Sequence, residues 1–586
     1  MPAVSIPLIE GDQISPDLFG GNFLADRYSL GRDSDIAPLI QKMGVNGLRY
    51  PGGSLTERHF DIGDPDNARV VDASGNDRDF VPLSDFMSYA ASKGHAATIV
   101  IPTRDNLSNR ADANGDRFPA FDEAELRGFV RDVATGEYGK AEVAAFEIGN
   151  EYWGSGEMTA VEYGRVSSRM ADIIDDEMSL VMMTTGRDPG IDVIVQAGTN
   201  HGFSNLSEEF EGQPGFRVLS TLNDRYETDL GDEVLFANGG VNWRAVNDHL
   251  ILREFSPDEG DAIDGVVLHI YSRSQISPGH REFGLKEVNE NWGDRFDDLD
   301  VYVTEWNVSA SDQRLQRDEH FGLDQAHELL NMMETMVAAD VDTAHVWPLL
   351  QNTRNALSTD RDDGDLTVGG EMFAMMARSL PGKTLLDFAP NRPQVTEHEG
   401  QGADIHGFYG DGEMVLYIAS TSARTETTSV DLTSMVQGGG RVSAKVLGVE
   451  RGDTPDAVSA RPEVEALAAK DFYQDGVVVA TLDAGEIMEV RLSDFVPAKD
   501  FRPLAQALDH GTKIPPQFVP WDARNPAPAE DDPTLDPLPS IPTPPDTPDP
   551  RDATEEEEAD DGSDLFGSLG WLLGLLPILA LAGMMG

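Results

Sequence analysis

The sequence contains no cysteine, so disulfide bonds, thiolate metal sites and cysteine nucleophiles are all excluded. Basic residues are also scarce, because 44 Lys and Arg stand against 104 Asp and Glu, which gives a formal net charge of −60. Nucleic acids and anionic membrane surfaces are bound through basic patches, so we expect neither as a partner. The amino-terminal stretch MPAVSIPLIEGDQISPDLFGG lacks a basic region followed by a long apolar core, and it predicts no secretory signal peptide.

The carboxyl-terminal part of the chain has an unusual composition. Residues 501–564 are rich in Pro, Asp and Glu, which predicts a disordered, extended linker. Residues 565–586 carry no charge, and about 20 apolar residues suffice to cross a bilayer. We therefore expect this apolar segment to anchor the protein to a membrane, in the cell envelope or outside the cell. A helix packed on the protein and a carboxyl-terminal export signal are the alternatives.

Residues 1–384 alternate short apolar segments with helical patterns. The eight apolar segments are 19–25, 45–53, 96–103, 144–151, 192–199, 264–271, 300–307 and 343–350. Strands that alternate with helices form a parallel sheet, so the pattern predicts an α/β fold, a (β/α)₈ TIM barrel. Residues 385–500 contain several strand-like segments with turn residues between them, which predicts a carboxyl-terminal β-sandwich domain.

Polar and aromatic side chains that are unusual in a core stand at the ends of these strands. The stretch FEIGNEYWG, residues 146–154, is the clearest example, since a Gly-Asn-Glu turn and two aromatics follow the fourth strand directly. In a TIM barrel the active site is built where the strands end. The residues at these ends are Arg49, Asn150, Glu151, His269, Tyr271, Glu305, Trp306 and Trp347.

Strand periodicity predicts which of these side chains point the same way. Side chains alternate between the two faces of a strand, so Val301, Val303 and Glu305 share one face, and Glu147 and Glu151 share another. If both faces line the barrel, Glu151 and Glu305 approach one pocket from opposite sides. Glycoside hydrolysis requires two such carboxyl groups, one that donates a proton and one that attacks the sugar or activates water.

The same segments resemble a known group of enzymes. EIGNE at residues 147–151 and VTEWN at 303–307 are similar to the acid/base and nucleophile motifs of the clan A glycoside hydrolases, which are retaining (β/α)₈ enzymes. ISPDLFGGNF at 14–23 and GLRYPGG at 47–53 resemble the opening of the α-L-arabinofuranosidase-like families of that clan, to which β-xylosidase and β-glucuronidase families are related. In that group the first strand often joins the sandwich.

The resemblance implies a role for each residue at the strand ends. Glu151 is expected to be the general acid/base and Glu305 the nucleophile. Glu147 is expected to be an internal partner of Arg49 or of another polar group of the barrel, and not a catalyst. Substrate binding or orientation of the nucleophile is expected from Asn150, His269, Tyr271, Arg49, Trp306 and Trp347, with packing as the alternative for the two tryptophans. The stretch SLTERHFD at 54–61 departs from the pattern of these families.

Neither a cofactor nor a metal is expected. The loop at residues 112–123 spaces Asp112, Asn114, Asp116 and Glu123 like the ligands of a calcium loop, but Arg117 stands where such a loop needs glycine. The sequence therefore favours a retaining glycosidase that acts on a polysaccharide or oligosaccharide. The alternative is a surface-tethered carbohydrate-binding protein that has lost its activity.

Overall fold

The computed structural model describes residues 7–519 apart from 31–33, 35, 73–74, 278, 294, 297–298, 360–364 and 389–401. The strands in chain order are β1 (Leu8–Gln13), β2 (Gly20–Asn22), β3 (Gly47–Tyr50), β4 (Arg69–Val71), β5 (Asp77–Asp79), β6 (Ala96–Ile101), β7 (Leu107–Ala111), β8 (Arg117–Pro119), β9 (Val143–Ile148), β10 (Asp192–Gln196), β11 (Gly265–Ser272), β12 (Asp300–Val308), β13 (Thr343–Val346), β14 (Thr384–Asp387), β15 (Ala403–Gly410), β16 (Glu413–Ser420), β17 (Glu426–Asp431), β18 (Val436–Val449), β19 (Pro462–Leu467), β20 (Tyr473–Gln474), β21 (Val477–Leu482) and β22 (Ile487–Pro497). The helices are α1 (Ile36–Met43), α2 (Leu55–His59), α3 (Leu83–Lys93), α4 (Glu123–Thr135), α5 (Ala160–Thr185), α6 (Gly215–Tyr226), α7 (Trp243–Leu252), α8 (Pro257–Gly260), α9 (His280–Asn291), α10 (Gly322–Ala338), α11 (Val368–Ser379), α12 (Ala469–Phe472) and α13 (Arg502–Asp509).

The predicted (β/α)₈ barrel is confirmed. Strands β2, β3, β6, β9, β10, β11, β12 and β13 close into a barrel, and every neighbouring pair is parallel. Each strand lies in one of the eight apolar segments of the sequence and extends at most one residue beyond it. Midway along the barrel, the apolar side chains of Ala145, Ile194 and Val267 and the ring of Tyr302 pack together and fill its interior. The polar residues of the strand ends therefore lie above a closed floor.

Helix α10 illustrates how the outer layer covers the barrel. Ala326, Leu329, Met333 and Met336 are buried and recur every three or four residues, so they form one apolar stripe along the helix. This stripe packs into the main core, which also contains residues of helix α11 and the outer faces of the barrel strands. The opposite side of α10 faces the second domain.

The predicted carboxyl-terminal β-sandwich is confirmed as well. A seven-stranded sheet in the order β1-β14-β15-β16-β22-β18-β19 faces a three-stranded sheet in the order β17-β21-β20. A separate apolar core lies between them, with Ile405, Leu416 and Val478 among its buried residues. Strand β1 pairs with β14, so the first described strand belongs to the sandwich and not to the barrel.

The folded part of the chain extends beyond the sandwich boundary that the sequence suggested. Residues 501–519 were predicted to belong to the linker, but they contain helix α13 and a short 3₁₀ turn, Pro516–Phe518. Leu504 and Phe518 are buried in the core of the sandwich, which explains why this segment is ordered against it. The rest of the linker and the apolar segment 565–586 lie outside the described residues.

Within the described part of the chain, no helix is both long enough and apolar enough to cross a membrane. The segment that carries the predicted membrane attachment is not among these residues, so that attachment stays a prediction.

Candidate active site

Arg49 connects the ends of four barrel strands. It is fully buried on β3, and its Nε and one terminal nitrogen donate to both oxygens of Glu147 over 2.7 and 2.8 Å. Nη1 donates to Oε1 of Glu305 over 2.8 Å and to Oδ1 of Asn22 over 3.0 Å. Nη2 also donates to Oδ1 of Asn150 over 2.7 Å. One guanidinium therefore fixes side chains from β2, β9 and β12 relative to β3.

Arg49 remains charged in this setting. Burial alone lowers its pKa, but the charges and hydrogen bonds of Glu147 and Glu305 outweigh burial and raise that pKa above its ordinary value. Two carboxylates share the positive charge, so neither of them is buried without a counter-ion. The prediction that Glu147 is an internal partner of Arg49 agrees with this geometry.

Glu305 reaches the barrel interior by way of a β-bulge. In the pairing of β11 with β12, Leu268 faces Val303 but the next residue, His269, faces Glu305, so Thr304 is the extra residue of the bulge. The predicted common face of Val301, Val303 and Glu305 is therefore wrong. Both valines pack in the core shared with the helices, and only the bulge turns Glu305 inward.

Both oxygens of Glu305 are held in place. Tyr271 on β11 donates its hydroxyl to Oε2 over 2.6 Å, while Arg49 occupies Oε1. His269 lies two residues before Tyr271, and its Nδ1 is 3.7 Å from Oε2 of Glu305. The same Nδ1 is 3.1 Å from Oε1 of Glu151, so His269 stands between the two carboxylates.

The pKa of His269 reflects this position. Burial lowers it, but the charge of Glu305 and the hydrogen bond with Glu151 act in the opposite direction, and the pKa is raised on balance. The other ring nitrogen, Nε2, has no hydrogen-bond partner within the described residues.

Glu151 sits on a strained turn at the end of β9. Its φ of 46° is left-handed, a conformation that costs an L-residue other than Asn or Asp free energy and is concentrated at functional sites. The preceding Gly149 also has a positive φ, and a Cβ there would lie 2.9 Å from the hydroxyl of Thr103. A glycine is therefore needed before Asn150 and Glu151 for the chain to turn out of the strand at this point.

Glu57, which the sequence analysis did not select, anchors this turn. Its buried carboxylate accepts hydrogen bonds from the backbone N–H groups of Asn150, Thr103 and Arg104 over 2.7, 2.8 and 2.7 Å. Burial raises the pKa of Glu57, and the backbone donors partly offset that effect. The signal was present in SLTERHFD, the stretch that departs from the resembled families, but the sequence did not reveal which strand ends it would meet.

Gln196 is a second positioning residue that sequence reasoning missed. It ends β10, where its Nε2 donates to the backbone oxygen of Gly149 over 2.7 Å. Its Oε1 accepts from the backbone N–H of Tyr152 over 3.2 Å. Gln196 thus holds both sides of the turn that carries Glu151.

The three tryptophans near the strand ends differ in position. Trp306 is fully buried and packs against Phe373 on helix α11, which corresponds to the packing alternative and not to contact with substrate. It follows the inward-pointing Glu305 and consequently points outward. Trp347 is partly exposed, and its ring covers Gly53 beside the end of β3. Trp153 is nearly buried and meets the ring of His269 edge to face.

The cluster of Glu151, His269 and Glu305 also deserves a test as a metal site, because one donor atom of each lies within 4.8 Å of the others. The surroundings do not favour a cation there. The guanidinium of Arg49 already neutralises Glu305 at 2.8 Å, and a second positive charge would be repelled by it. The cluster therefore fits acid–base chemistry better than metal binding.

A cavity of about 460 Å³ lies at the opposite end of the barrel, where the strands begin. Seven acidic residues contribute to its lining, among them Asp192, Asp300, Asp340 and Asp342. Burial and the neighbouring aspartates raise the pKa of Asp300 to about 6. This end lacks the paired glutamates and lies below the apolar floor, so it is separate from the candidate active site.

Comparison with known proteins gives the fold a context. No family profile matches the chain, and no curated protein is found to be similar to it. Among solved structures, the α-L-arabinofuranosidase from Thermotoga maritima in complex with arabinose is similar with a TM-score of 0.54 and 14% identity, over 84% of this chain and 98% of that one. A family 51 α-L-arabinofuranosidase from Bifidobacterium longum reaches a TM-score of 0.53 at 14% identity, over 84% and 99%. The GH51 arabinofuranosidase from Xanthomonas axonopodis pv. citri reaches 0.51 at 16%, over 83% and 98%.

These likenesses span nearly the full length of the compared proteins and include both domains. The fold of the described chain is thus that of solved clan A arabinofuranosidases, in agreement with the resemblance of the motifs. Identities this low establish the fold alone, and the chemistry has to be argued from the site.

Proposed function

We propose that the protein is a retaining glycoside hydrolase that cleaves O-glycosidic bonds by double displacement. The observation that carries the proposal is the short separation of the two carboxyl groups, since an oxygen of Glu151 lies within 4.8 Å of an oxygen of Glu305. Carboxyl groups about 5–5.5 Å apart are typical of retaining glycosidases, whereas about 6.5–9.5 Å is needed to place a water in inverting ones.

Glu305 suits the role of nucleophile. Arg49 and Tyr271 hold its two oxygens, so the carboxylate is oriented before substrate arrives and does not rotate away. In the first step Oε2 attacks the anomeric carbon and the bond to the leaving oxygen breaks. The resulting ester between Glu305 and the sugar is then hydrolysed by water.

Glu151 suits the role of general acid and base. Its side chain is 25% exposed, compared with 4% for Glu305, so a leaving group or a water molecule can reach it. It would protonate the leaving oxygen in the first step and take a proton from water in the second. His269 contacts Glu151 and keeps it beside Glu305 throughout.

A pentofuranoside is the first substrate to test. The solved proteins with the same fold are named arabinofuranosidases, and the partly exposed ring of Trp347 offers an apolar platform for a sugar face. Asn150, whose Oδ1 accepts from Arg49, would bind a hydroxyl next to the reacting carbon. An aryl glycoside panel should therefore contain α-L-arabinofuranosides together with xylosides, glucosides, galactosides and glucuronides.

The deciding experiment compares wild type, Glu305→Ala, Glu151→Ala and the exposed control Glu125→Ala on this panel. We expect Glu305→Ala to lose turnover by about 10⁴-fold or more, since the covalent step disappears. Glu151→Ala should keep activity on activated leaving groups and should regain turnover with azide, which needs no base. Glu125→Ala should match wild type.

Two outcomes would contradict the proposal. Full activity of Glu305→Ala would remove the nucleophile from the mechanism. If neither aryl glycosides nor polysaccharides are hydrolysed but sugar binding is measurable, the result would favour the tethered carbohydrate-binding protein.

A further inference from the structure

A second cluster of potential metal ligands lies far from the candidate active site, between the barrel and the sandwich. His327 on helix α10 meets Asp404 and His406 on strand β15, and one donor atom of each lies within 4.8 Å of the others. His327 Nε2 is 2.8 Å from Oδ2 of Asp404, and His406 Nε2 is 3.3 Å from the same oxygen. Two elements from different domains thus converge on one point.

The orientation of His406 singles this cluster out. Its Nδ1 is hydrogen-bonded to Oε2 of Glu334, which lies two turns after His327 on α10. A neutral histidine that donates one N–H to a carboxylate keeps a lone pair on its other nitrogen, and metal-binding histidines are characteristically supported in this way. The remaining Nε2 of His406 is buried, points at Asp404 and makes no hydrogen bond within the described residues.

Asp404 is the other incomplete member of the cluster. Its Oδ1 is buried and also has no hydrogen-bond partner in the described part of the chain. The carboxylate oxygen Oδ1 without a partner, and the imidazole nitrogen Nε2 whose 3.3 Å contact with Oδ2 of Asp404 lacks hydrogen-bond geometry, each cost free energy unless one bound group satisfies both. A single cation between them would do so.

We propose that His327, Asp404 and His406 bind a divalent transition-metal ion, of which Zn²⁺ is the best match, and that this ion joins the barrel to the sandwich. Ligands about 2.0–2.1 Å from a tetrahedral Zn²⁺ lie about 3.3 Å from each other. The distance from His406 to Asp404 is already 3.3 Å, whereas the 2.8 Å from His327 to Asp404 has to lengthen by about 0.5 Å when the ion enters. Two imidazole ligands favour Zn²⁺ and similar divalent transition-metal ions over Ca²⁺ or Mg²⁺, which prefer oxygen ligands. Asp404 Oδ1 or a water molecule would complete the coordination.

The site is structural in character. The side chains of His406, Glu334 and Asp404 are 0%, 4% and 6% exposed, and His327 at 12% is the most accessible member. A substrate has no room to approach three ligands buried to this degree. The ion would instead fix α10, whose apolar stripe packs on the barrel, to the edge of β15.

The test uses the full-length protein, stripped with a chelator, reloaded with ZnCl₂ and passed through gel filtration. We expect about one Zn²⁺ per chain by elemental analysis, and a melting temperature at least about 5 °C higher than that of the stripped protein. His327→Gln and His406→Gln should lose the ion and the shift. His320→Gln, which removes a histidine just before the same helix, should keep both.

Two further measurements make the result independent of how well the variants fold. Glu305→Gln should retain the ion, because the glutamates of the candidate active site do not hold it. X-ray absorption at the zinc edge of the wild-type protein should report two imidazole ligands. The proposal is overturned if the wild type takes up no Zn²⁺, if His406→Gln binds it as wild type does, or if Glu305→Gln alone releases it.

Discussion

The hydroxyl of Tyr271 lies 2.6 Å from Oε2 of Glu305, the oxygen that Arg49 does not hold. This phenol donates a hydrogen bond to the attacking oxygen of the proposed nucleophile from the side of β11. The bulge in β12 brings Glu305 within its reach, so the position of the nucleophile depends on the pairing of two neighbouring strands.

Removing the Tyr271 hydroxyl should impair chemistry more than folding. We expect Tyr271→Phe to lower kcat about 10- to 100-fold, or ~1.4–2.8 kcal/mol, because Oε2 becomes free to rotate. The matched control is Tyr302→Phe, which removes a hydroxyl bonded to Asp192 at the other end of the barrel. Steady-state kinetics on the best aryl glycoside would measure both, and an unchanged kcat in Tyr271→Phe would refute the positioning role.

Removing Arg49 should affect stability as well as activity. Arg49→Met leaves Glu147 and Glu305 buried without a counter-ion, and breaking a buried pair in this way costs about 3–5 kcal/mol. Adding Glu147→Gln should recover part of the free energy of unfolding but none of the activity, since Glu305 stays unsupported. Urea unfolding and kcat measured on the same samples separate the two effects.

A surface pair provides the control for that experiment. Arg491 binds Glu413 on the sandwich with its side chain 34% exposed, so Arg491→Met should cost no more than about 1 kcal/mol and leave kcat unchanged. Equal destabilisation by Arg49→Met and Arg491→Met would contradict the proposed importance of the buried network.

Glu57 should act on catalysis through the turn that carries Glu151. In Glu57→Gln an amide NH₂ replaces one acceptor oxygen and faces backbone N–H groups, so we expect a loss of about 1–3 kcal/mol in stability. We also expect kcat to fall more on poor leaving groups than on activated ones, because displacement of Glu151 weakens proton donation. Glu125→Gln changes an exposed carboxylate of α4 and should alter neither kcat nor stability. If Glu57→Gln lowers kcat equally for all leaving groups, the effect of Glu57 is purely structural.

Asp300 should make the free energy of unfolding depend on pH. It lies at the end of the barrel where the strands begin, opposite the candidate active site. Its pKa in the folded protein is about 6, above the value of about 3.9 for an unperturbed aspartate. A raised pKa means that its favourable contribution is complete below about pH 3.9 and is lost as the pH rises through about 6. Asp300→Asn cannot ionise, so its melting temperature should exceed that of wild type at about pH 8 but not at about pH 4.

Thermal unfolding across this range checks the prediction. The exposed Asp105→Asn serves as the control and should follow the wild-type curve at every pH. A difference between Asp300→Asn and wild type that does not grow with pH would argue against the repulsion among Asp192, Asp300 and Asp342.

The sequence alone determined the architecture, because the period of apolar residues is a local property. Eight apolar segments separated by helical patterns were enough to predict the barrel, and the strand-rich region after residue 385 was enough to predict the sandwich. Motifs next to those strands also pointed to Glu151 and Glu305, since in a parallel barrel all strand ends meet at one rim.

What the sequence left open depends on contacts between distant residues. Simple alternation placed Glu305 with Val301 and Val303, and the bulge that corrects this arises where β12 pairs with its two neighbours, β11 and β13. The same bulge sends Trp306 outward to Phe373 rather than towards the pocket. Alternation describes a regular strand, but register is decided by the neighbouring strand.

Two contacts between distant parts of the chain show the same limit of sequence-based prediction more strongly. Glu57 supports a turn 93 residues further along the chain, and His327 meets Asp404 over a separation of 77 residues. No local pattern links such positions, because their distance is set by the closure of the barrel and by the docking of the sandwich on α10. The sequence determined which chemistry was available, and the tertiary structure decided which groups could act together.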